Sequence, residues 1–144
     1  METALLEFAW HVHHDVLVEP LFEPIKYRQL DIRQHKPEEE RERRLALLKP
    51  VLGILPDSVI KAGAAYAQAV DAYDETWATN VARAAFWKAW KARDVYGKAR
   101  ADFKEVCQTE YLAIEALHKL ECPNCTWDGK TIFPESKEEG NATS

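Results

Sequence analysis

The sequence predicts an all-α fold: short N-terminal helices packed on one long helix rich in alanine and aromatic residues, or on a helical hairpin, with a small C-terminal CxxC knuckle. Three observations predict it. Prolines 20, 24, 37, 50 and 56 cut the first third of the chain into short pieces, and none follows until Pro123. Apolar residues recur every three to four positions through most of the chain, which is the period of a helix face. Cys122-Pro123-Asn124-Cys125 then closes the proline-free stretch, four residues after His118.

The first helix is expected over Thr3 to Val18. Thr3 can cap it, and Leu5, Leu6, Phe8, Ala9, Val12, Val16 and Leu17 line one side. Pro20 ends it and Pro24 opens the second helix, since proline suits a first helical turn. That helix carries Ile25, Arg28, Ile32 and His35 on one stripe and stops at Pro37. The third begins with Glu38, Glu39 and Glu40 and closes with Arg43, Arg44 and Lys49, acid first and base last, as the helix dipole favours. Leu45, Leu48 and Leu52 form its apolar stripe.

Pro56-Asp57-Ser58 reads as a fresh start. A single helix from Ser58 to Glu121 would be about 96 Å long at ~1.5 Å per residue, whereas a compact chain of this size has a radius of gyration of about 15 Å. Either the helix folds back, with poor helix formers between Thr76 and Asn80 as the turn, or a rod pairs with another chain. The stripe Val70, Tyr73, Trp77, Val81, Ala84, Lys88, Ala92, Val95, Ala99, Phe103, Val106, Glu110, Ile114 and Leu117 steps by three, four and four, broken in character at Lys88 and Glu110. Such an eleven-residue repeat suits straight, coiled-coil-like pairing. The stripe passes Thr76 to Asn80 in phase, so a mostly continuous, self-associating helix is the expected form. One domain over 1–134 and a polar, disordered tail over 135–144 complete the expected organisation.

The chain has 144 residues and a formal charge of −5, too mild to select a partner. It holds no apolar run long enough to span a membrane. Met1 to Pro24 lacks Lys and Arg, so no secretory leader is expected and the cytoplasm is the expected location. Three cysteines in such a chain point to thiols rather than a disulfide framework.

Two places concentrate metal-capable side chains. His118, Cys122 and Cys125 supply three zinc-type ligands within eight residues, His118 and Cys122 one helical turn apart and the two cysteines on a short turn. His13 or His14 is the expected fourth ligand. The competing reading is a pair of buried thiols beside a surface histidine. On a helix, Glu7, His11, His14 and Asp15 would share one face, either as a solvated polar stripe or as a second metal or proton-handling group. An open zinc position beside Glu7 as general base would make the protein a metal-dependent hydrolase. No catalytic motif is present and no catalytic residue is assigned.

A third constellation is basic and aromatic. Trp87 and Trp90 stand among Lys88, Lys91, Arg93, Lys98, Arg100 and Lys104, against Asp94 and Asp102. Rings among cations can stack bases while the cations meet phosphates; equally, the rings can bury in the core with the basic stems around them. Nucleic acid is therefore an alternative partner to a second copy or another protein.

Phe8 to Asp15, the degraded Ala-Tyr repeats (Asp71-Ala72-Tyr73-Asp74-Glu75) and Glu121-Cys122-Pro123-Asn124-Cys125-Thr126-Trp127-Asp128-Gly129 resemble a group of uncharacterised phage and metagenomic proteins. These share a His-rich start, Ala-Tyr-rich helical repeats and a CPxCxWDG-type end. The resemblance implies a repetitive helical protein of viral or mobile-element origin, with a virion as a further location, and supplies no activity.

Overall fold

The computed structural model describes residues 6–78 and 83–135, apart from the side chains of 77, 78, 83–87 and 89. Thr3 and the polar tail from 136 onward lie outside the described residues. Among those described, the order is β1 (Phe8–Trp10), β2 (Val18–Pro20), α1 (Ile25–His35), α2 (Glu38–Leu47), β3 (Lys49–Pro50), α3 (Asp57–Ala78), α4 (Arg83–Thr109) and α5 (Tyr111–Glu121). The chain is mostly helical, as expected, but a three-stranded antiparallel sheet of order β2-β1-β3 means that it is not all-α.

The sheet replaces the helix expected over Thr3 to Val18. Phe8, Trp10, Val12, Val16 and Val18 are aromatic or β-branched residues that fit a pleated surface. Phe8 pairs with Pro20, Ala9 with Glu19 and Trp10 with Val18 on one side; Ala9 pairs with Pro50 and Trp10 with Lys49 on the other. With neighbours on both edges and burial on both faces, β1 has no polar side. Its sequence therefore shows no alternation to mark it as a strand. Both prolines lie on edge strands, where a missing N–H costs no ladder bond. The expected third helix likewise stops at Leu47, and Leu52 is exposed rather than part of an apolar stripe.

By contacts the chain forms two compact units, Met1–Gly53 with His118–Ser144, and Ile54–Leu117. In the first, α1 and α2 start after Pro24 and Pro37 as the sequence indicates. Ala9, Ile32 and Leu48 form a buried cluster with Val12, Leu21, Ile25 and Leu45 packed on it. A second cluster joins Leu47, Cys122 and Ile132, with Cys125, Trp127 and Phe133 around it. The segment after Cys125 is shaped by its turn chemistry: the Lys130 and Thr131 N–H groups donate to the Asp128 carboxylate (2.8 and 2.9 Å). Gly129 takes φ 102°, a conformation that suits glycine. Phe133 is covered by the guanidinium groups of Arg43 and Arg44, 5.2 and 5.3 Å from its ring centre. Glu135, assigned to the tail by sequence, pairs with Arg43.

The second unit is a helical hairpin rather than a continuous rod. Tyr66 on α3 meets Phe103 on α4, both ring centres 5.8 Å apart, while Tyr73, two turns later on α3, meets Tyr96, two turns earlier on α4, at 5.6 Å. Pairing that advances on one helix as it recedes on the other is antiparallel. Tyr66 and Ala69 on α3 are buried; of the expected stripe, Phe103 is buried, Val70 and Tyr73 are half-buried and Val95 stays exposed. At Glu110 α4 gives way to α5, and backbone bonds of helical spacing cross the junction (Glu110 N–H to Val106, Ile114 N–H to Glu110).

Candidate metal centre

Residues brought together by the first unit converge at one point. The last turn of α5 presents His118, and the Cys122 N–H still donates to the His118 carbonyl at 2.7 Å. The two side chains therefore share a face, one turn apart. Cys125 follows on a tight turn, its N–H donating to the Cys122 carbonyl at 3.2 Å. From the other segment comes His11, at the first position after β1, with φ 54°. Left-handed backbone is uncommon for residues other than glycine, although histidine tolerates it better than most, and such conformations cluster at functional sites.

The ring of His11, the ring of His118 and the thiols of Cys122 and Cys125 place one donor atom each within 4.8 Å of one another. His11 Nε2 is 3.0 Å from His118 Nε2 and 3.2 Å from Cys125 Sγ. Ligands at about 2.0–2.1 Å for nitrogen and 2.3 Å for sulfur around a tetrahedral ion are separated by roughly 3.3–3.8 Å, so this quartet is close to the size such an ion requires. His11 Nδ1–H donates to the Val16 carbonyl (3.2 Å), which leaves the Nε2 lone pair facing the cluster. A backbone carbonyl in this role fixes the tautomer and orientation of a metal-binding imidazole. Trp127 lies against His11 and Trp10 against His118, at 5.2 and 5.1 Å between ring centres. His11, His118 and Cys122 are buried, and Cys125 is half-buried.

Burial pushes His11 down to about 4, the adjoining His118 adds to the push, and the Val16 carbonyl opposes it. Burial pushes the Cys125 thiol up to about 11, against the Trp127 backbone N–H and with the help of Cys122. Without an ion the site thus holds a neutral imidazole and a protonated Cys125 at neutral pH. A dication binding there displaces that thiol proton, so its affinity rises with pH. Competition titrations with a chromogenic chelator at pH 6 and pH 8 should show tighter binding at pH 8; equal affinity would mean that Cys125 is not a ligand.

Of the five metal ligands expected from sequence, the structure gathers His118, Cys122 and Cys125 and leaves out His13 and His14. Both of these are exposed. His13 Nδ1 meets the Glu19 carboxylate across the hairpin. His14 Nδ1 meets the Thr131 hydroxyl at 3.1 Å. The fourth donor is His11, which the sequence places on a helix face with Glu7, His14 and Asp15. That face does not exist once the segment is a hairpin, and Glu7, His14 and Asp15 are each exposed. The one sequence feature that sets His11 apart is its place directly after the aromatic segment Phe8-Ala9-Trp10.

Glu121 also escaped the sequence reading. Its carboxylate accepts from the Trp10 indole N–H (3.0 Å), the Leu52 N–H (2.8 Å) and the Gly53 N–H (2.6 Å). Burial opposes its charge, but these donors, Leu52 foremost, together with His118, hold its carboxyl below the usual glutamate range. Glu121 thereby ties the ligand-bearing end of α5 to β1 and to the segment after β3.

In the second unit Trp90 is about half exposed, at 48%, and the Arg93 guanidinium lies 5.8 Å from its ring centre. Lys88, Lys91, Arg93, Lys98, Arg100 and Lys104 are all exposed. The Trp87 side chain lies outside the described residues. Cys107 is half-buried on α4, away from the thiol pair in sequence and in unit. No described helix is long and apolar enough to cross a membrane.

Two imidazoles and two thiols on facing segments form a candidate metal-binding site of a mostly helical protein. Compared with protein-family models, curated proteins and solved structures, the chain has no match.

Proposed function

We propose that this is a small zinc-stabilised structural or interaction protein of viral or mobile-element type, self-associating, in which one ion links the two segments of the first unit. The carrying observation is the convergence of His11, His118, Cys122 and Cys125 within 4.8 Å. A set of two nitrogens and two sulfurs in that space suits tetrahedral zinc. Four protein donors leave no open position for a substrate, which supports a structural role over the hydrolase reading, and Glu7 is exposed rather than poised beside the cluster. Among the described residues of the expected pairing stripe, Tyr73 and Phe103 are engaged within the hairpin and Val95 is exposed. Self-association therefore rests on exposed apolar side chains such as Leu52, Leu112 and Leu120. Elemental analysis together with solution mass tests the proposal: one zinc per chain and a mass above that of one chain are expected. A metal-free preparation that keeps its fold would remove the zinc, and a monomer at high concentration would remove the self-association.

The exposure of Trp90 favours a second reading, binding of single-stranded nucleic acid along α4. Arg93, Arg100 and Lys104 lie on one side of the helix with Trp90 at ~100° per residue. Three such phosphate contacts give a log-log salt slope of about −2 for a single strand, at ~0.7 per phosphate. A labelled oligo-dT strand should bind with that slope, and Trp90→Ala should cost about 1–3 kcal/mol if a base stacks there. No binding at low salt rejects this reading.

A further inference from the structure

We propose that Cys122 and Cys125 form a redox switch: a hydroperoxide converts the pair to a disulfide, releases the ion and unlinks the two segments of the first unit. The proposal rests on the metal reading above and adds a mode of regulation to that site.

The geometry of the pair supports it. Cys122 and Cys125 are the first and last residues of a turn closed by a backbone hydrogen bond of 3.2 Å. Residues so related have α-carbons less than ~7 Å apart, and disulfides bridge α-carbons about 4.4–6.8 Å apart. The two sulfurs lie within the 4.8 Å span of the cluster. Joining them therefore asks for side-chain rotation and little backbone movement. Access is uneven. Cys122 is buried at 4% exposure, whereas Cys125 is half-buried, so Cys125 meets a small oxidant first and Cys122 waits behind it. The chain's third thiol, Cys107, belongs to the other unit and is no member of the cluster.

The chemistry balances. The Cys125 thiolate attacks one oxygen of the hydroperoxide; an S–O bond forms, the O–O bond breaks, and hydroxide leaves, taking a proton to become water. The Cys122 thiolate then attacks the sulfenic sulfur; the S–S bond forms, the S–O bond breaks, and a second hydroxide leaves as water. With hydrogen peroxide, two thiolates and two protons yield one disulfide and two waters. The two sulfurs lose two electrons, the peroxide gains them, and the ion leaves with its charge unchanged. A disulfide lacks the thiolate charge that makes cysteine a ligand. Only His11 and His118 remain, two neutral donors where a closed structural site uses four.

The test uses the full chain loaded with one equivalent of zinc and treated with hydrogen peroxide. Zinc release is followed with a chromogenic chelator, and the peptide containing both cysteines is weighed. One zinc released per chain, a loss of about 2 Da on that peptide, and recovery of both on adding a phosphine reductant are expected. Cys107→Ser should behave as the parent. Zinc retained while peroxide is consumed, release accompanied by sulfinic or sulfonic acid without a disulfide, or a bridge that includes Cys107 would each overturn the switch. Failure of the untreated chain to take up zinc is a separate result, seen before peroxide is added; it ends the metal reading and the switch with it.

Discussion

Removing the ion should lower the melting temperature by about 10–15 °C, and His11→Ala should abolish that dependence while His13→Ala and His14→Ala preserve it. The magnitude follows from what the ion connects. His11 and His118 are 107 positions apart, and a cross-link closing a loop of that size removes chain entropy worth about 4–5 kcal/mol from the unfolded state. At ~2–4 °C per kcal/mol for a chain of this length, the shift is well within reach of calorimetry. The three histidines lie within four positions of one another, so composition and charge are the same for each substitution. Only geometry separates them: His11 is buried with Nε2 facing His118, whereas His13 and His14 are exposed and hydrogen-bonded to Glu19 and Thr131. Thermal scans of the three variants with and without a strong chelator decide the matter. A scan in which His13→Ala or His14→Ala, rather than His11→Ala, loses its chelator response would place the fourth ligand elsewhere.

The contrast between these histidines also marks where sequence reasoning stops. His118, Cys122 and Cys125 could be grouped because their proximity is local, set by one helical turn and one short turn. Their fourth partner could not, because it depends on the register of β1 against β2 and β3, and register is a property of the sheet. β1 is buried on both faces, so Phe8-Ala9-Trp10 carries no alternation, and Phe8 and Ala9 also match a helix face with Val12 and Val16. The helices α1 and α2 were legible because Pro24 and Pro37 mark their starts. The α3–α4 hairpin was half legible. An apolar stripe in phase from Val70 to Val106, broken at Lys88, is needed equally by a rod pairing with a second chain and by a hairpin pairing with itself. Tyr66 against Phe103 and Tyr73 against Tyr96 choose the hairpin, for which the poor helix formers between Thr76 and Asn80 are the local hint in the sequence. Glu121 was missed for a related reason: its donors Trp10, Leu52 and Gly53 are far from it in sequence, and a lone acid near a helix end reads as solvated.

Trp10→Ala should destabilise the protein by about 3–5 kcal/mol, the cost of emptying a fully buried aromatic site, and should also weaken metal binding. Trp10 is 0% exposed on the central strand. Its ring lies against His118, and its indole N–H donates to Glu121, the residue before Cys122. One side chain thus supports the imidazole ligand by packing and the start of the thiol turn by hydrogen bonding. Substitution of groups that orient ligands from behind reduces metal affinity by roughly 10–100-fold in other sites, and Trp10→Ala should fall in that range. Trp10→Phe separates the two contributions. It keeps a ring against His118 but withdraws one of three donors from the Glu121 carboxylate, for an expected loss of about 1–2 kcal/mol. Glu121→Gln weakens all three bonds, two of them to exposed backbone N–H groups, for about 1–2 kcal/mol. If the Trp10–Glu121 bond is shared cause, the double variant should be less destabilised than the sum of the singles by about 1 kcal/mol. Chemical denaturation of the four proteins, each with zinc and with chelator, measures this coupling. Simple additivity in both conditions would mean that the indole and the carboxylate act independently, and that β1 supports the metal site through packing on His118 alone.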